Sequence, residues 1–162
     1  MNEETQGIRI MDACCGSRMF WFDKREPHTT YMDFRHEKLT LCDGRTIEIN
    51  PDIIADCRSI PFPDDTFNLI VFDPPHLSDV GDNSWMAKKY GKLPKDWEAF
   101  LKDSMDELMR VLKPGGTLIF KWNESQIKIS SVLDAIKPHR PLFGHPTKQK
   151  NMTMWMSFVK FN

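Results

Sequence analysis

The chain has no run of about 18 apolar residues, and its mean hydropathy is −0.48, so nothing in it reads as a membrane-crossing helix. It also has no C-x-x-C pair. The four cysteines stand at 14, 15, 42 and 57, a spacing that suits neither a zinc site nor a disulfide framework, and no metal is expected. Cys14 and Cys15 are neighbours, and a bridge between them would be strained. A G-x-G-x-x-G fingerprint is missing, with Gly16 alone in the first turn, which disfavours a dinucleotide such as NAD. Charge of one sign is missing too: 22 Lys and Arg face 23 Asp and Glu, for a net −1, so the whole chain is no polybasic binder. The balance is nonetheless uneven. Lys137, Arg140, Lys148, Lys150 and Lys160 fall in residues 137–162 with no acid, leaving 17 cations against 23 acids before them. Residues 1–7 are acidic and polar, so neither a secretory nor a transit peptide is expected and the location is read as cytoplasmic. A length of 162 residues fits one domain, residues 1–162.

Short apolar runs alternate with helical patterns, the sign of an α/β chain folding as a doubly wound, mostly parallel sheet. Strands are expected at 8–13, 29–33, 53–56, 67–72, 117–122 and 153–161, and a hairpin over 38–50 turning at Asp43-Gly44. Residues 18–24 can form a short helix, and 77–94 reads as a long loop carrying Lys88, Lys89 and Lys92. A helix follows from Pro94, with Trp97, Phe100, Leu101, Met105, Leu108, Met109 and Leu112 at helical spacing, ended by Lys113-Pro114-Gly115-Gly116. Another spans 125–136, with Ser125 as its cap. Trp21 and Phe22 are expected to pack beneath the first turn.

Two constellations carry chemistry. The first is a strand ending in Asp12, a Cys-Cys-Gly-Ser turn, and Asp33 at the end of the next strand, 21 positions on. In doubly wound sheets a ligand lies beyond the carboxyl ends of the strands, and an acid after the second strand grips ribose hydroxyls. The second is Ile70-Val71-Phe72-Asp73-Pro74-Pro75-His76, a buried strand emptying into an acid, two prolines and a flat ring. The prolines fix φ and remove two donors, so carbonyls can face outward as acceptors. An acid beside such a carbonyl can hold both hydrogens of an exocyclic amine, and the ring beyond can stack on the heterocycle carrying it.

With these residues in view, the chain resembles the class I S-adenosylmethionine-dependent methyltransferases of the amino-methylating branch. Their hallmark is D/N/S-P-P followed by Tyr, Phe or Trp, and their cofactor loop often reads D-P-x-C-G-S-G. Asp12-Ala13-Cys14-Cys15-Gly16-Ser17, Asp33, Asp56, Asp73-Pro74-Pro75-His76 and Val111 to Leu118 follow that order between about residues 8 and 122. The resemblance implies a Rossmann-like, seven-stranded sheet with an antiparallel last strand. It implies S-adenosyl-L-methionine as cofactor, held by Asp12, Ala13, Cys14, Cys15, Gly16, Asp33 with Phe34, Asp56 with Cys57, and Asp73. Asp73, Pro74, Pro75 and His76 become the catalytic set. Arg18 stands where the family often has glycine and places a guanidinium near the cofactor or an incoming phosphate. His76 replaces the usual aromatic and is a smaller plate that can titrate.

The reaction so implied is direct transfer of a methyl group to an amine, adenine N6 in DNA first, with an RNA base, a protein glutamine, or a non-catalytic cofactor-binding subunit as alternatives. Trp85 or Tyr90 would face the base opposite His76, or would anchor the loop instead. Lys88, Lys89 and Lys148 would meet a phosphate backbone. Nucleic acid is therefore the expected partner, DNA before RNA, with no membrane partner. A homodimer or a partner subunit would enlarge the recognition surface.

Overall fold

The computed structural model describes residues 7–147 and 152–162. Seven strands form one sheet in the order β5-β2-β1-β6-β7-β9-β8. They are β1 (Ile10–Asp12), β2 (Thr29–Asp33), β5 (Ile53–Ile54), β6 (Phe67–Phe72), β7 (Leu112–Asn123), β8 (Phe143–Pro146) and β9 (Thr153–Val159). The first five strands of that order run parallel, β9 is antiparallel to β7, and β8 is antiparallel to β9. The hairpin is present as a separate two-stranded sheet of β3 (Glu37–Thr40) and β4 (Thr46–Ile49).

The apolar runs fold as strands because they are β-branched and aromatic-rich and lie between turn residues. Alternation then divides the sheet in two. Ile70, Phe72, Leu118, Phe120, Met156 and Phe158 fuse into one core with the apolar stripe of α2 (Trp97–Val111), made by Phe100, Leu101, Met105, Leu108 and Val111. Each fully buried side chain of that size is worth about 1.5–3 kcal/mol. Val132 and Ile136, in and just after α3 (Ile129–Ala135), complete the core, and α2 and α3 pack on each other. Neither α2 nor α3 belongs to the opposite face, whose Lys121 shares a cavity wall with Lys89 and Tyr90. There Leu69, Val71, Ile119, Lys121 and Trp155 are only half-buried.

That face departs most from expectation. Residues 18–24 form turns rather than a helix, because Arg18 sits at φ 58 and its guanidinium bonds the carbonyl of Lys24 at 2.9 Å. Trp21 packs edge-on to Tyr31, whereas Phe22 projects fully into solvent instead of packing under the loop. Residues 77–94 are not structureless: α1 (Trp85–Tyr90) occupies their middle, capped by the Ser84 side chain. The third strand stops at Ile54, and α3 starts at Ile129 rather than Ser125. Trp122 Nε1 donating to the Ile127 carbonyl (3.0 Å) and Glu124 accepting from the Ile129 N–H (3.2 Å) hold the intervening residues as a turn. Strand β8 lies in the basic stretch that the sequence offers only as a loop. No helix among the described residues is long and apolar enough to cross a membrane.

Candidate active site

The parallel strands β1 and β6 are neighbours, in register with Asp12 opposite Val71, so both motifs leave the sheet at one edge. The Ala13 N–H donates to the Val71 carbonyl (3.0 Å) and the Cys15 N–H to the Met32 carbonyl (2.9 Å), threading the first turn between the ends of β6 and β2. Gly16 turns the chain at φ 48, where a Cβ is unfavourable. Asp33 fixes that turn from below. Its Oδ2 accepts from the Gly16 N–H (2.9 Å), and its Oδ1 accepts from the backbone N–H (2.9 Å) and Nε (3.3 Å) of Arg35.

Three cavities follow one another along this edge. The first, about 190 Å³, is lined by Asp12, Cys14, Gly16, Phe20, Lys89 and Tyr90 among others, with Asp73 and Lys121 on its far wall. The second, also about 190 Å³, shares Cys14 with it and is an apolar slot between Phe34, Ala55, Pro75 and Phe100, with Asp56 and Cys57 in its wall. The third, about 420 Å³, lies on the other side of Asp73 and is lined by Pro74, His76, Met86, Tyr90 and Lys121. Asp73, Tyr90 and Lys121 belong to both the first and the third.

Electrostatics differ sharply between the acids. Asp12 is 2% exposed, and burial pushes its carboxyl up to about 7 although Trp21 Nε1 donates to it at 2.8 Å and the Cys14 N–H at 3.3 Å. The charges of Asp73 and Asp33 push the same way. Asp73 is raised by burial and pulled back by Lys121, whose Nζ lies 3.2 Å from Oδ2. Asp56 is held below the usual range by the two-pronged Arg58 guanidinium. Burial, followed by the Lys121 charge, lowers His76, so its ring is neutral at pH 7. The Cys57 thiol beside it raises Cys14, with burial adding, and burial raises Cys15, so neither thiol is a ready nucleophile.

The long loop is a built cover. Leu93 N–H donates to the Leu77 carbonyl (2.9 Å), closing its ends, and Gln126 clamps Ser78 and Asp79. Gly91 ends α1 at φ 81, where a Cβ would stand 3.0 Å from Pro75 Cγ. Arg35 reaches the Lys88 carbonyl at 3.2 Å, joining the cover to the first turn.

Of the residues singled out from the sequence, Asp12, Ala13, Cys14, Cys15, Gly16, Phe34, Asp56, Cys57, Asp73, Pro74, Pro75, His76, Lys89 and Tyr90 line these cavities. Others do not. Arg18 is turned away: it donates to Asp52 (3.1 Å) and the Asn50 carbonyl (2.9 Å) and lies over the Tyr31 ring at 3.8 Å, bracing the fold rather than reaching a ligand. Asp33 is 4% exposed with both oxygens engaged by this chain, so it holds the turn instead of opening to a ribose. Trp85 lines none of the three cavities and packs outside Tyr90, their centroids 6.3 Å apart, while Met86 takes the inward position. Lys88 enters only through its carbonyl, and Lys148 lies outside the described residues. Arg35 and Lys121 are the residues that sequence reasoning missed. Lys121 had a signal: a lysine inside the apolar run of a central strand is out of place unless paired.

No protein-family model matches the sequence, and no curated protein does. Solved structures do. The N-methyltransferase NodS from Bradyrhizobium japonicum WM9 superposes with a TM-score of 0.61 at 13% identity, over 96% of this chain and 86% of that one. A SAM-dependent methyltransferase from Methanosarcina mazei gives 0.58 at 10% identity over 94% and 92%. The [4+2]-cyclase SpnF gives 0.61 at 13% identity over 95% and 74%. At such identities the likeness is one of architecture, and with the strand order above it shows that this chain has the Rossmann-like, seven-stranded fold of the class I S-adenosylmethionine-dependent methyltransferases.

Proposed function

We propose that the protein is an S-adenosylmethionine-dependent methyltransferase acting on an exocyclic amine of a nucleic-acid base, with adenine N6 in DNA as its first acceptor. One observation carries the reading. Asp73 stands in the wall shared by two cavities, one bounded by the Gly16 turn and one bounded by His76, so a donor and an acceptor can meet across it. NodS, of the same fold, has been solved with S-adenosyl-L-homocysteine, which supports the choice of cofactor.

The residues present suit that cofactor. The slot between Phe34 and Phe100 takes a flat, apolar heterocycle, and Asp56 offers a carboxylate at its wall. Gly16 allows close backbone approach, Lys89 and Arg35 bring cations to the first cavity for the carboxylate of an α-amino acid end, and the Asp12 carboxyl offers an acceptor for its ammonium. When bound, the cofactor supplies a sulfonium methyl as the electrophile. The chain itself has positioning to do. Asp73 and the Pro74 carbonyl accept the two N–H groups of the amine and turn its lone pair toward the first cavity. The neutral His76 ring and Tyr90, with centroids 6.3 Å apart, bound the base. Lys89, on the cover, supplies a cation for a neighbouring phosphate.

The test is incubation of the purified protein with methyl-labelled S-adenosylmethionine and separate single-stranded DNA, double-stranded DNA, tRNA and protein acceptors, followed by mass spectrometry of the digested products. N6-methyladenine in DNA is expected. Label in RNA or in a protein glutamine moves the substrate. Label in no acceptor, despite measurable S-adenosylhomocysteine binding, refutes the catalytic reading.

A further inference from the structure

Lys121 occupies β7 opposite Trp155 of β9, and its ammonium lies near two aromatic rings. Its Nζ lies 4.6 Å from the Phe20 centroid and 5.7 Å from that of Trp155, and 3.2 Å from Asp73 Oδ2. An ammonium has three donors. One points to Asp73, and the side chain still borders the third cavity, where it is the sole lysine or arginine among the described lining residues. The wall of that cavity therefore presents an acceptor, Asp73, and a donor, Lys121, side by side.

That pairing has a complement. An adenine shows an N6–H donor next to the N1 acceptor, and a cytosine shows N4–H next to N3. On the Watson–Crick side of its amine guanine instead places the N1–H, donor against donor with a lysine, and its adjoining acceptor, N3, lies only on the sugar side. Given the function proposed above, on which this step rests, we infer that Lys121 is a specificity-determining residue of the acceptor site: its ammonium donates to the ring nitrogen adjoining the amine that Asp73 receives. Asp73 then marks the amine, and Lys121 marks which edge of which base carries it. Lys121 is half-buried on its own, and a base seated over it would strip its remaining water; a donor left there without an acceptor is disfavoured, so the ring nitrogen becomes a requirement rather than a tolerance.

The experiment compares two fluorescent single-stranded oligonucleotides that differ at one position, adenine against 1-deazaadenine, which keeps the amine and replaces N1 by C–H. Binding is read by anisotropy with S-adenosylhomocysteine present, and transfer of labelled methyl is read in parallel. Wild type is expected to bind the adenine oligonucleotide roughly tenfold tighter, the discrimination usual for one well-made base contact. Lys121→Met keeps an unbranched side chain of similar length without the donor and should lose the preference, while Lys121→Arg should keep part of it. Circular dichroism spectra and urea midpoints that match wild type in both variants confirm that the fold survives. Equal affinity of wild type for the two oligonucleotides overturns the inference without needing any variant, as does an undiminished preference in Lys121→Met. A wild-type preference with no label transferred leaves Lys121 as the reader and removes the catalytic function. Label transferred equally to both oligonucleotides does the reverse.

Discussion

Asp12 makes folding stability depend on pH in an unusual sense. Its carboxyl is raised from 3.8 to about 7 by burial at the end of β1, beside Trp21 and facing the charges of Asp33 and Asp73. The folded state therefore keeps a proton that the unfolded chain gives up above about pH 4. With more protons bound in the folded state, the contribution of Asp12 falls as pH rises, from full effect below pH 4 to none beyond about pH 7. The rise from 3.8 to about 7, at about 1.36 kcal/mol for each tenfold change in proton affinity, is about 4 kcal/mol, a large part of an ordinary domain's 5–15 kcal/mol. Asp12→Asn removes the titration and leaves the other groups in place, including Asp56, Asp106 and Glu107, whose lowered values act in the opposite sense. Urea unfolding of both proteins at pH 4, 5, 6 and 7.5 should show the wild type losing about 4 kcal/mol relative to the variant. With a slope near 2 kcal/mol/M, the gap between midpoints moves by about 2 M. Parallel pH profiles for the two proteins, or a wild type that gains on the variant as pH rises, would refute the placement of an acid in that desolvated position.

Three further outcomes test other parts of the site. Asp73→Ala should lower methyl transfer by at least about a hundredfold while S-adenosylhomocysteine affinity, by calorimetry, stays within a few fold, because the proposed mechanism sets this carboxylate against the acceptor amine. Gly91→Ala places a Cβ 3.0 Å from Pro75 at φ 81 and should cost about 1–3 kcal/mol in chemical unfolding, whereas Gly44→Ala, at φ 82 with nothing within 4 Å, should cost only the backbone part of that. Asp33→Ala frees the Gly16 N–H and leaves the mostly buried Arg35 guanidinium with only the longer Glu37 pair at 3.8 Å, so about 2–3 kcal/mol of stability and at least tenfold in S-adenosylhomocysteine affinity should go together.

The sequence discloses the parts of this molecule that rest on local rules. The places of six strands, though not most of their ends, the Asp43-Gly44 hairpin, the amphipathic α2 and the Asp-Pro-Pro exit from β6 were readable because each is set by periodicity or by a residue with restricted φ. What escaped depends on partners far along the chain. Whether Asp33 opens to a ligand or closes a turn is decided by Gly16 and Arg35. Arg18 is claimed by Asp52 and the Asn50 carbonyl, contacts that no spacing rule foretells. The absence of a helix after β1 follows from those same contacts. Lys121 reads as one polar residue in a strand until β6 and β7 are paired and Asp73 is found beside it. Strand β8 was hidden because Phe-Gly-His-Pro has little strand character of its own and forms by pairing with β9.

The placement of Asp12 and Asp73 at the ends of two adjoining central strands has a consequence for hydrogen exchange. Amides of β1 and β6 are bonded within the ladder from both sides, so they exchange only through near-global opening, whereas α1 and the β3–β4 hairpin can open alone. Slow exchange should thus map onto the platform that spaces the two acids, and fast exchange onto the cover. Under the proposed function, the rim could open repeatedly for substrates while the separation of the acids is never renegotiated.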